Sequence, residues 1–295
     1  MGEREIARYY TLSDKDLQII RQHRRDHNRL GFSIQLCHLR FPGWPLKAGA
    51  APSPQLLAYV ARQLKVSPEL VHDYSRDRDT TRREHLLELQ RDFGFQPFTE
   101  GLSSKLADLL LPDALRSPKP MPLIAALLEQ MRAQKIIVPA FLTVENLAWE
   151  ILARAGTKIF DQLTSGLTLV QHRQLDQLTA AADADSGSKG LGWLRQAIGR
   201  PTPATFLNVC EKLGAVRAIG LDHGMGGTIH QSRLQQLARE GARYSLQHLN
   251  RFREDKRQAL LVAFLIRTAQ EFTDQAIDMH DQMIGRLLNR SERRQ

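Results

Sequence analysis

A succession of helix-start and helix-stop signals along the chain constrains the fold more than any other feature. Ser13 with Asp16 three residues later forms a capping-box pattern, and Thr81 with Glu84 forms another. Ser53-Pro54 places a capping residue before a proline that suits the first turn of a helix. Apolar residues follow these signals at helical spacing, whereas runs with strand-like alternation are scarce. The sequence therefore predicts a mainly α protein.

Breaks in the helical pattern predict tandem small helical bundles. Residues 1–98 are expected to form a first domain of five short helices, and residues 99–182 a second helical domain. Residues 183–190, rich in Asp, Ser and Gly, form the clearest linker. Residues 191–295 are expected to be a further helical region, which contains separate helices near 254–268 and 271–290.

Two adjacent helices near the N-terminus resemble a helix-turn-helix unit. The first is predicted to begin after Ser13 and to run to about Arg24 or Arg25, which would place cations at its C-terminal end. The second carries Leu30 and Ile34 at helical spacing and ends before Pro42-Gly43. Two short adjacent helices joined by a turn are the structural material from which a helix-turn-helix reader is built.

The charge of the chain favours an anionic partner without naming it. The 295 residues carry a formal net charge of +9, and the calculated pI is about 9.8. The two cysteines, Cys37 and Cys210, each lie in an apolar helical pattern, so neither a disulfide framework nor a zinc site is expected. No apolar run is long enough to cross a bilayer, and we expect a cytoplasmic protein without a membrane partner.

A cationic run at the junction of the first two helices is the main candidate for a binding site. Arginine pairs with phosphates and guanine edges, and asparagine with adenine, so this composition suits duplex DNA. The candidate residues in and beside this run are Arg21, Arg24, Arg25, His27, Asn28, Arg29 and Arg40. On composition alone, a solvated helix end explains the same residues.

A second cationic run precedes and includes Arg82 and Arg83. The start of a helix at Thr81 would offer free N–H groups to a phosphate, although neighbouring acidic residues also fit a simple cap with ion pairs. Farther along, Lys158 and Arg173 are the scattered cations expected to face a DNA backbone. They belong to no motif, and each fits an ordinary surface residue as well.

No catalytic signature stands out in the sequence. Gly224 to Thr228 is rich in glycine but lacks the Lys-Ser/Thr of a phosphate-binding loop, and His223 and His230 match no metal-ligand spacing. No serine or cysteine lies in a recognisable nucleophile elbow. We therefore expect no cofactor, no metal, no small-molecule substrate and no enzymatic activity of this chain on its own.

The chain resembles the Tn-three family of replicative transposases over essentially its whole length. Several landmarks occur in the order of the family: residues 7–12, 25–32, 39–43, 59–64, 81–85, 138–139, 159–164, 233–242 and 276–287. The resemblance implies that residues 1–98 and 99–182 are helix-turn-helix-like DNA-binding units that bind the terminal inverted repeats of a transposon. It implies that the segment after the linker is a helical connector, which leads to the catalytic part. It also implies that strand cutting and joining use a metal-dependent Asp-Asp-Glu centre on an RNase H-like domain, which this sequence does not include.

Two other interpretations remain open at this stage. The amphipathic segment 271–290 fits a dimerising connector or a protein-interaction module, such as a truncated product that pairs with full-length transposase and modulates it. An enzyme with an unrecognised helical site is the other alternative. The expected partners are double-stranded DNA and a second copy of the chain.

Overall fold

The computed structural model describes residues 3–46, 50–76, 79–180, 189–222 and 224–292. Within these ranges the chain is almost entirely helical, and the only extended pairing is an isolated bridge between Gln96 and Ile136. The prediction of a mainly α fold is thus confirmed. The predicted linker 183–190 lies outside the described residues except for its last two positions.

The fifteen α-helices of the described residues follow one another through the chain. They are α1 (Glu3–Tyr10), α2 (Asp14–Ile20), α3 (Asp26–Arg40), α4 (Pro54–Leu64), α5 (Val71–Arg76), α6 (Asp79–Phe93), α7 (Glu100–Arg116), α8 (Pro120–Ala133), α9 (Phe141–Thr164), α10 (Leu169–Ala180), α11 (Leu191–Arg195), α12 (Pro203–Ala218), α13 (Gln231–Arg243), α14 (Leu246–Leu249) and α15 (Glu254–Glu292). A 3₁₀-helix, Pro68–Leu70, precedes α5.

The chain divides into two compact units. Unit 1 comprises Met1–Leu110 and Lys119–Ile151, and unit 2 comprises Leu111–Pro118 and Leu152–Gln295. Helices α7 and α9 therefore contribute residues to both units. The boundaries at 98 and 182 rest on breaks in the helical pattern, and they stay predictions of where separately folding domains begin.

Helix α3 lies at the centre of unit 1. Every residue from Leu30 to Cys37 is buried, so two full turns of this helix face protein on all sides. A helix that is apolar or packed all round belongs to a core and not to a surface. Only the first turn of α3 and its last residues remain accessible, and a partner can therefore contact α3 only near its two ends.

The predicted helix stop after α3 is fixed by a distant segment of unit 1. The backbone N–H of Val138 donates to the carbonyl of Gly43 at 3.0 Å, and Trp44 Nε1 donates to the carbonyl of Pro139 at 2.8 Å. Gly43 has a φ of 109°, which favours glycine. Residues 136–139 thus form a connector between helices in which Ile136 and Val138 are buried.

Helix α15 has the corresponding central place in unit 2. All residues from Gln258 to Leu265 are buried, and α12 and α13 pack against this part of the helix. The prediction of two helices near 254–268 and 271–290 is wrong, because α15 runs unbroken from Glu254 to Glu292. No glycine or proline lies between Glu254 and Ile284, so nothing in the backbone ends the helix there.

Candidate nucleic-acid interface

The turn between α2 and α3, residues 21–25, carries most of the predicted contacts. Helix α2 ends at Ile20, and Arg25 is the N-cap residue of α3. The prediction that the first helix continues to Arg24 or Arg25 is therefore wrong. The chain leaves the helix because the ring of His23 turns inward, 4.4 Å from the ring of Phe32 between centroids. Arg24 and Arg25 consequently lie in a turn and not at a helix C-terminus.

Arg29 holds this turn in place. Its Nε donates to the carbonyl of His23 at 2.7 Å, and a second nitrogen donates to Asp26 Oδ1 at 3.0 Å. A third nitrogen donates to the carbonyl of Arg21 at 3.4 Å. The guanidinium thus satisfies carbonyl groups that the end of α2 leaves open. In this conformation Arg29 supports the turn, and each of its three nitrogens already donates one hydrogen bond.

His23 anchors the same turn to α6. Its ring lies 4.8 Å from the ring of His85, and its Nε2 lies 3.5 Å from Glu88 Oε1. Burial lowers the pKa of His23, and Arg29 lowers it further, while Glu88 acts in the opposite direction. An uncharged imidazole in a mainly apolar setting costs less than an imidazolium would. The turn is therefore attached to the core at one point and clamped by Arg29 at another.

Three arginines of the turn point into solvent. Arg21, Arg24 and Arg25 are exposed, and none of them has an ion pair or a side-chain hydrogen bond among the described residues. A rigid backbone that presents unengaged guanidinium groups suits phosphate contact, because the order of the backbone is established before binding. These three side chains are the most accessible cations of the predicted cluster.

The neighbouring His27 and Asn28 are less accessible than the arginines. Both are half-buried, and the Oδ1 atom of Asn28 is buried without a hydrogen-bond partner among the described residues. A bidentate contact with adenine needs both Oδ1 and Nδ2 at the surface. Base reading by Asn28 would therefore require its amide to rotate, and it stays a prediction.

Arg40 lies at the other end of α3 and has a structural partner. One of its nitrogens donates to both carboxylate oxygens of Asp16, at 2.9 and 2.8 Å. Asp16 is buried, and it also accepts from the backbone N–H of Ser13 in the predicted capping box. The capping box around Ser13 is thus confirmed, and it extends into an ion pair that joins α2 to α3.

The second cationic run belongs to α6, which begins at Asp79. Thr81 therefore lies inside the first turn, and the prediction of a helix start at Thr81 is wrong by two residues. Arg82 lies over the ring of Tyr74 at 5.6 Å, whereas Arg83 is exposed. Arg82 lies one helical turn before His85, whose ring contacts His23 of the α2–α3 turn.

A buried polar chain under these residues escaped sequence analysis. Gln35 Nε2 donates to the hydroxyl of Tyr74 at 2.5 Å, and that hydroxyl lies 3.1 Å from Nδ1 of His85. Because the hydroxyl accepts from Gln35, it is free to donate to His85. Burial, followed by the nearby His23, lowers the pKa of His85 to about 4. No local pattern signals this chain, whose members come from α3, α5 and α6.

Lys158 and Arg173 belong to unit 2, on α9 and α10. Both are exposed, and neither has an ion pair among the described residues. The neighbour of Arg173, His172, is instead tied to Gln258 of α15 at 2.6 Å. Lys158 and Arg173 are accessible to a DNA backbone, and their role stays a prediction.

The described residues show neither a metal-binding cluster nor a membrane-spanning helix. No group of three or more His, Cys, Asp or Glu side chains is arranged to hold a metal ion in this part of the chain. No helix of the described chain is long and apolar enough to cross a membrane.

Comparison with known proteins adds a consistent set of relatives. Residues 2–151 match the model of a family described as a domain of unknown function, DUF4158. The chain is 41% identical over 287 residues to the transposase for transposon Tn3926 of Escherichia coli, which covers 97% of this chain and 29% of that protein. It is 34% identical over 291 residues to the transposase for transposon Tn1546 of Enterococcus faecium, which covers 98% and 29%. The transposase for transposon Tn501 of Pseudomonas aeruginosa is 35% identical over 287 residues, with 97% and 29% covered. The chain thus spans a little under a third of the length of these relatives.

Proposed function

From the premise that this chain carries the DUF4158 domain and belongs to the Tn-three family of transposases, as their N-terminal region, we propose that it binds the terminal inverted repeats of a transposon. The observation that carries the proposal is the α2–α3 turn. It presents Arg21, Arg24 and Arg25, which have no ion pair with any described residue, on a backbone that Arg29 clamps. Such a surface matches the regularly spaced phosphates of duplex DNA.

The other predicted residues take different parts in this proposal. Arg83 extends the surface of the turn along α6, and Arg82 supports it from its position over Tyr74. Arg29 and Arg40 act mainly through their contacts inside unit 1. Lys158 and Arg173 add phosphate contacts from unit 2. Discrimination between sequences falls to His27 and Asn28, the residues of the first turn of α3 that lie next to the exposed arginines.

Strand cutting and joining are assigned to other parts of a longer transposase. The named relatives are transposases, and this chain spans only 29% of their length. We propose that residues 1–295 contribute recognition of the transposon ends and none of the strand chemistry. In this view the chain acts without a cofactor, and its partner is double-stranded DNA.

A gel-shift titration tests the proposal directly. The probes are duplexes that carry the terminal inverted repeats of transposons Tn3926, Tn21 and Tn501, together with scrambled duplexes of the same length. We expect at least one repeat to bind more tightly than its scrambled partner, and this preference to persist from low to near-physiological salt. Equal and salt-labile binding to all duplexes would contradict end recognition.

Substitutions in the turn locate the contact. Arg24→Gln with Arg25→Gln should weaken binding to repeat and scrambled duplexes alike, because phosphate contacts carry no sequence information. The matched control is Arg62→Gln with Lys105→Gln, which removes two exposed cations of unit 1 outside the turn. Asn28→Ala should reduce only the preference for the repeat, by about 1–3 kcal/mol if its amide reads a base. An equal loss on both duplexes would rule out that role of Asn28.

A second candidate function rests on the C-terminal part of α15. Ile277, Ile284, Leu287 and Leu288 are 43 to 61% exposed, although each is a large apolar residue. Ile277 lies seven residues before Ile284, and Leu287 and Leu288 lie three and four residues after it, so all four are on one face of the helix. Ile284 and Leu287 of this face, together with the exposed Leu207 of α12, line a groove of about 750 Å³. Exposed apolar surface of this kind marks an interaction site.

The charges along the same segment favour a second copy of the chain as its partner. Glu271, Asp274, Asp278 and Asp281 lie in its first half, and Arg286 and Arg290 lie in its second half. An antiparallel pair centred near Gln282 would set Ile277 opposite Leu287 and Asp278 near Arg286. Both the apolar and the charged contacts would then be complementary.

Light scattering on the purified chain tests this pairing. We expect a mass above that of the 33.5 kDa monomer, and we expect Ile284→Glu with Leu287→Glu to restore the monomer mass. Leu142→Glu, at a 65% exposed position of α9, serves as the control and should leave the mass unchanged. A monomer at all concentrations would contradict the homodimer and leave DNA binding to be judged on its own.

A further inference from the structure

A cleft in unit 1 lies at the end of α3 opposite to the α2–α3 turn. It has a volume of about 560 Å³ and lies between α1, the C-terminal end of α3 and the end of α8. The cations that line it are Arg8, Arg40, Arg132 and Lys135, and the acidic groups are Asp16 and Glu129. Because Arg40 and Asp16 neutralise each other, three cations and one carboxylate remain.

Two of these arginines lie on a pair of stacked aromatic rings. Tyr9 and Phe41 stack with centroids 4.7 Å apart and an angle of 18°. The guanidinium of Arg8 lies over Tyr9 at 5.3 Å, and that of Arg132 lies over Phe41 at 5.3 Å. Among the described residues, neither guanidinium has an ion pair or a hydrogen bond. Stacking uses the face of a guanidinium and leaves the N–H groups in its plane available.

Lys135 is fixed at the same cleft by its backbone. It follows α8 with a φ of 54°, a left-handed conformation that is uncommon for a residue other than glycine. Its Nζ donates to the carbonyl of Phe93 at 2.9 Å, and its other two donors have no acceptor among the described residues. The cleft thus holds three cations whose positions are set by aromatic rings, a helix end and a carbonyl.

We propose that this cleft binds a backbone phosphate of DNA through Arg8, Arg132 and Lys135. Planar guanidinium groups with free N–H donors match the oxygens of a phosphate, and an ammonium adds a point charge. The fifteen residues of α3 separate the cleft from the α2–α3 turn by about 20 Å. A duplex covers that length in about six base pairs, so one DNA molecule can contact both surfaces. The inference rests on the proposed function, because it assigns a second contact for the same DNA.

Fluorescence anisotropy with a labelled inverted-repeat duplex tests the cleft in the full chain. Arg8→Gln with Arg132→Gln should weaken binding about 5- to 20-fold, whereas Arg62→Gln with Lys105→Gln should change it less than about 2-fold. Lys135→Asn keeps a residue that tolerates the left-handed conformation, and it should weaken binding about 2- to 5-fold. Circular dichroism and melting of each variant establish that it is folded.

A gain in affinity provides a test that misfolding cannot imitate. Glu129 is exposed at the cleft and repels a phosphate there, so Glu129→Gln should tighten binding about 2- to 3-fold. Wild-type affinity in both Arg8→Gln with Arg132→Gln and Glu129→Gln would overturn the cleft site. If Arg24→Gln with Arg25→Gln still weakens binding in that case, the proposed function stands without it. Absence of DNA binding by the wild-type chain would overturn both.

Discussion

Single residues decide how closely the helices of unit 1 approach one another. A Cβ atom on Gly31 would lie 2.3 Å from Cγ and Cδ2 of Tyr74, whose ring is fully buried. Gly31→Ala must displace that ring from its hydrogen bonds with Gln35 and His85, and we expect it to lower the free energy of unfolding by about 2–4 kcal/mol. Urea unfolding measures this change. Gly101→Ala in α7 is the control, since nothing lies within 4 Å of its new Cβ. Equal stability of Gly31→Ala and the wild type would contradict the packing of Tyr74 on α3.

His85 makes the stability of unit 1 depend on pH. Its folded-state pKa of about 4 lies below the value of about 6.5 for an unfolded histidine. The unfolded chain therefore takes up a proton first, and the stability that is present above pH 6.5 is lost as the pH falls toward 4. The loss from His85 should be on the order of 1–2 kcal/mol at pH 5. The lowered pKa values of His23 and His38 act in the same direction.

Melting temperatures from pH 8 to pH 4.5 check this prediction. The wild type should lose stability steadily below about pH 6.5, and His85→Gln should lose less across the same range, even if it melts lower at pH 8. His280→Gln is the control, because that side chain is 59% exposed on α15. A wild-type curve that is flat down to pH 4.5 would show that the pKa of His85 is not lowered in the folded chain.

The sequence of the arginine-rich run does not predict which of its arginines are exposed and which bond the backbone. The sequence indicates a cationic cluster from Arg21 to Arg29, and the structure does place an accessible cationic turn there. The sequence does not indicate that Arg29 donates to the backbone of the turn. This hydrogen bonding depends on His23, which leaves the helix and contacts Phe32 and His85. Sequence analysis also missed Arg8, Arg132 and Lys135, which come together only in the folded unit.

At the scale of helices, the junction between α2 and α3 depends on the buried carboxylate of Asp16. Asp16→Ala would remove the capping box and leave Arg40 without its carboxylate, so we expect a loss of about 2–4 kcal/mol in the free energy of unfolding. Asp14→Ala, on the exposed side of the same first turn, should cost less than about 1 kcal/mol. Chemical denaturation of the two variants measures the difference. Similar losses in both would mean that the charge of the helix N-terminus matters and the ion pair does not.

Helix starts were easier to predict than helix ends. The Ser13 cap and the proline after Ser53 act within one turn, and α2 and α4 begin where these signals place them. The end of α2 is set by the burial of His23, which is a tertiary contact. The continuity of α15 is set by its buried segment from Gln258 to Leu265, which packs against α12 and α13 and stabilises the helix beyond any local signal.

For the molecule as a whole, the net charge of +9 is less informative than the places where cations lack partners. Among the described residues of unit 1, the exposed turn and the cleft at the far end of α3 hold such cations, whereas Arg40 is paired with Asp16. When DNA binding rests on a few phosphate contacts, the logarithm of the binding constant falls linearly with the logarithm of the salt concentration. The slope is about 0.9 per phosphate contact, so it reports how many contacts there are. Binding that rests on diffuse charge would respond equally to the loss of any two cations.

The salt dependence therefore separates these two modes of binding. Anisotropy titrations at several salt concentrations should give slopes that fall by about 2 for Arg24→Gln with Arg25→Gln, and again by about 2 for Arg8→Gln with Arg132→Gln. Because the two surfaces lie about 20 Å apart along α3, the losses in binding free energy should add in the fourfold variant. Arg62→Gln with Lys105→Gln removes the same charge and should leave the slope unchanged. Equal slopes in all three double variants would show that the chain attracts DNA through its overall charge, and neither the turn nor the cleft would then be a specific contact.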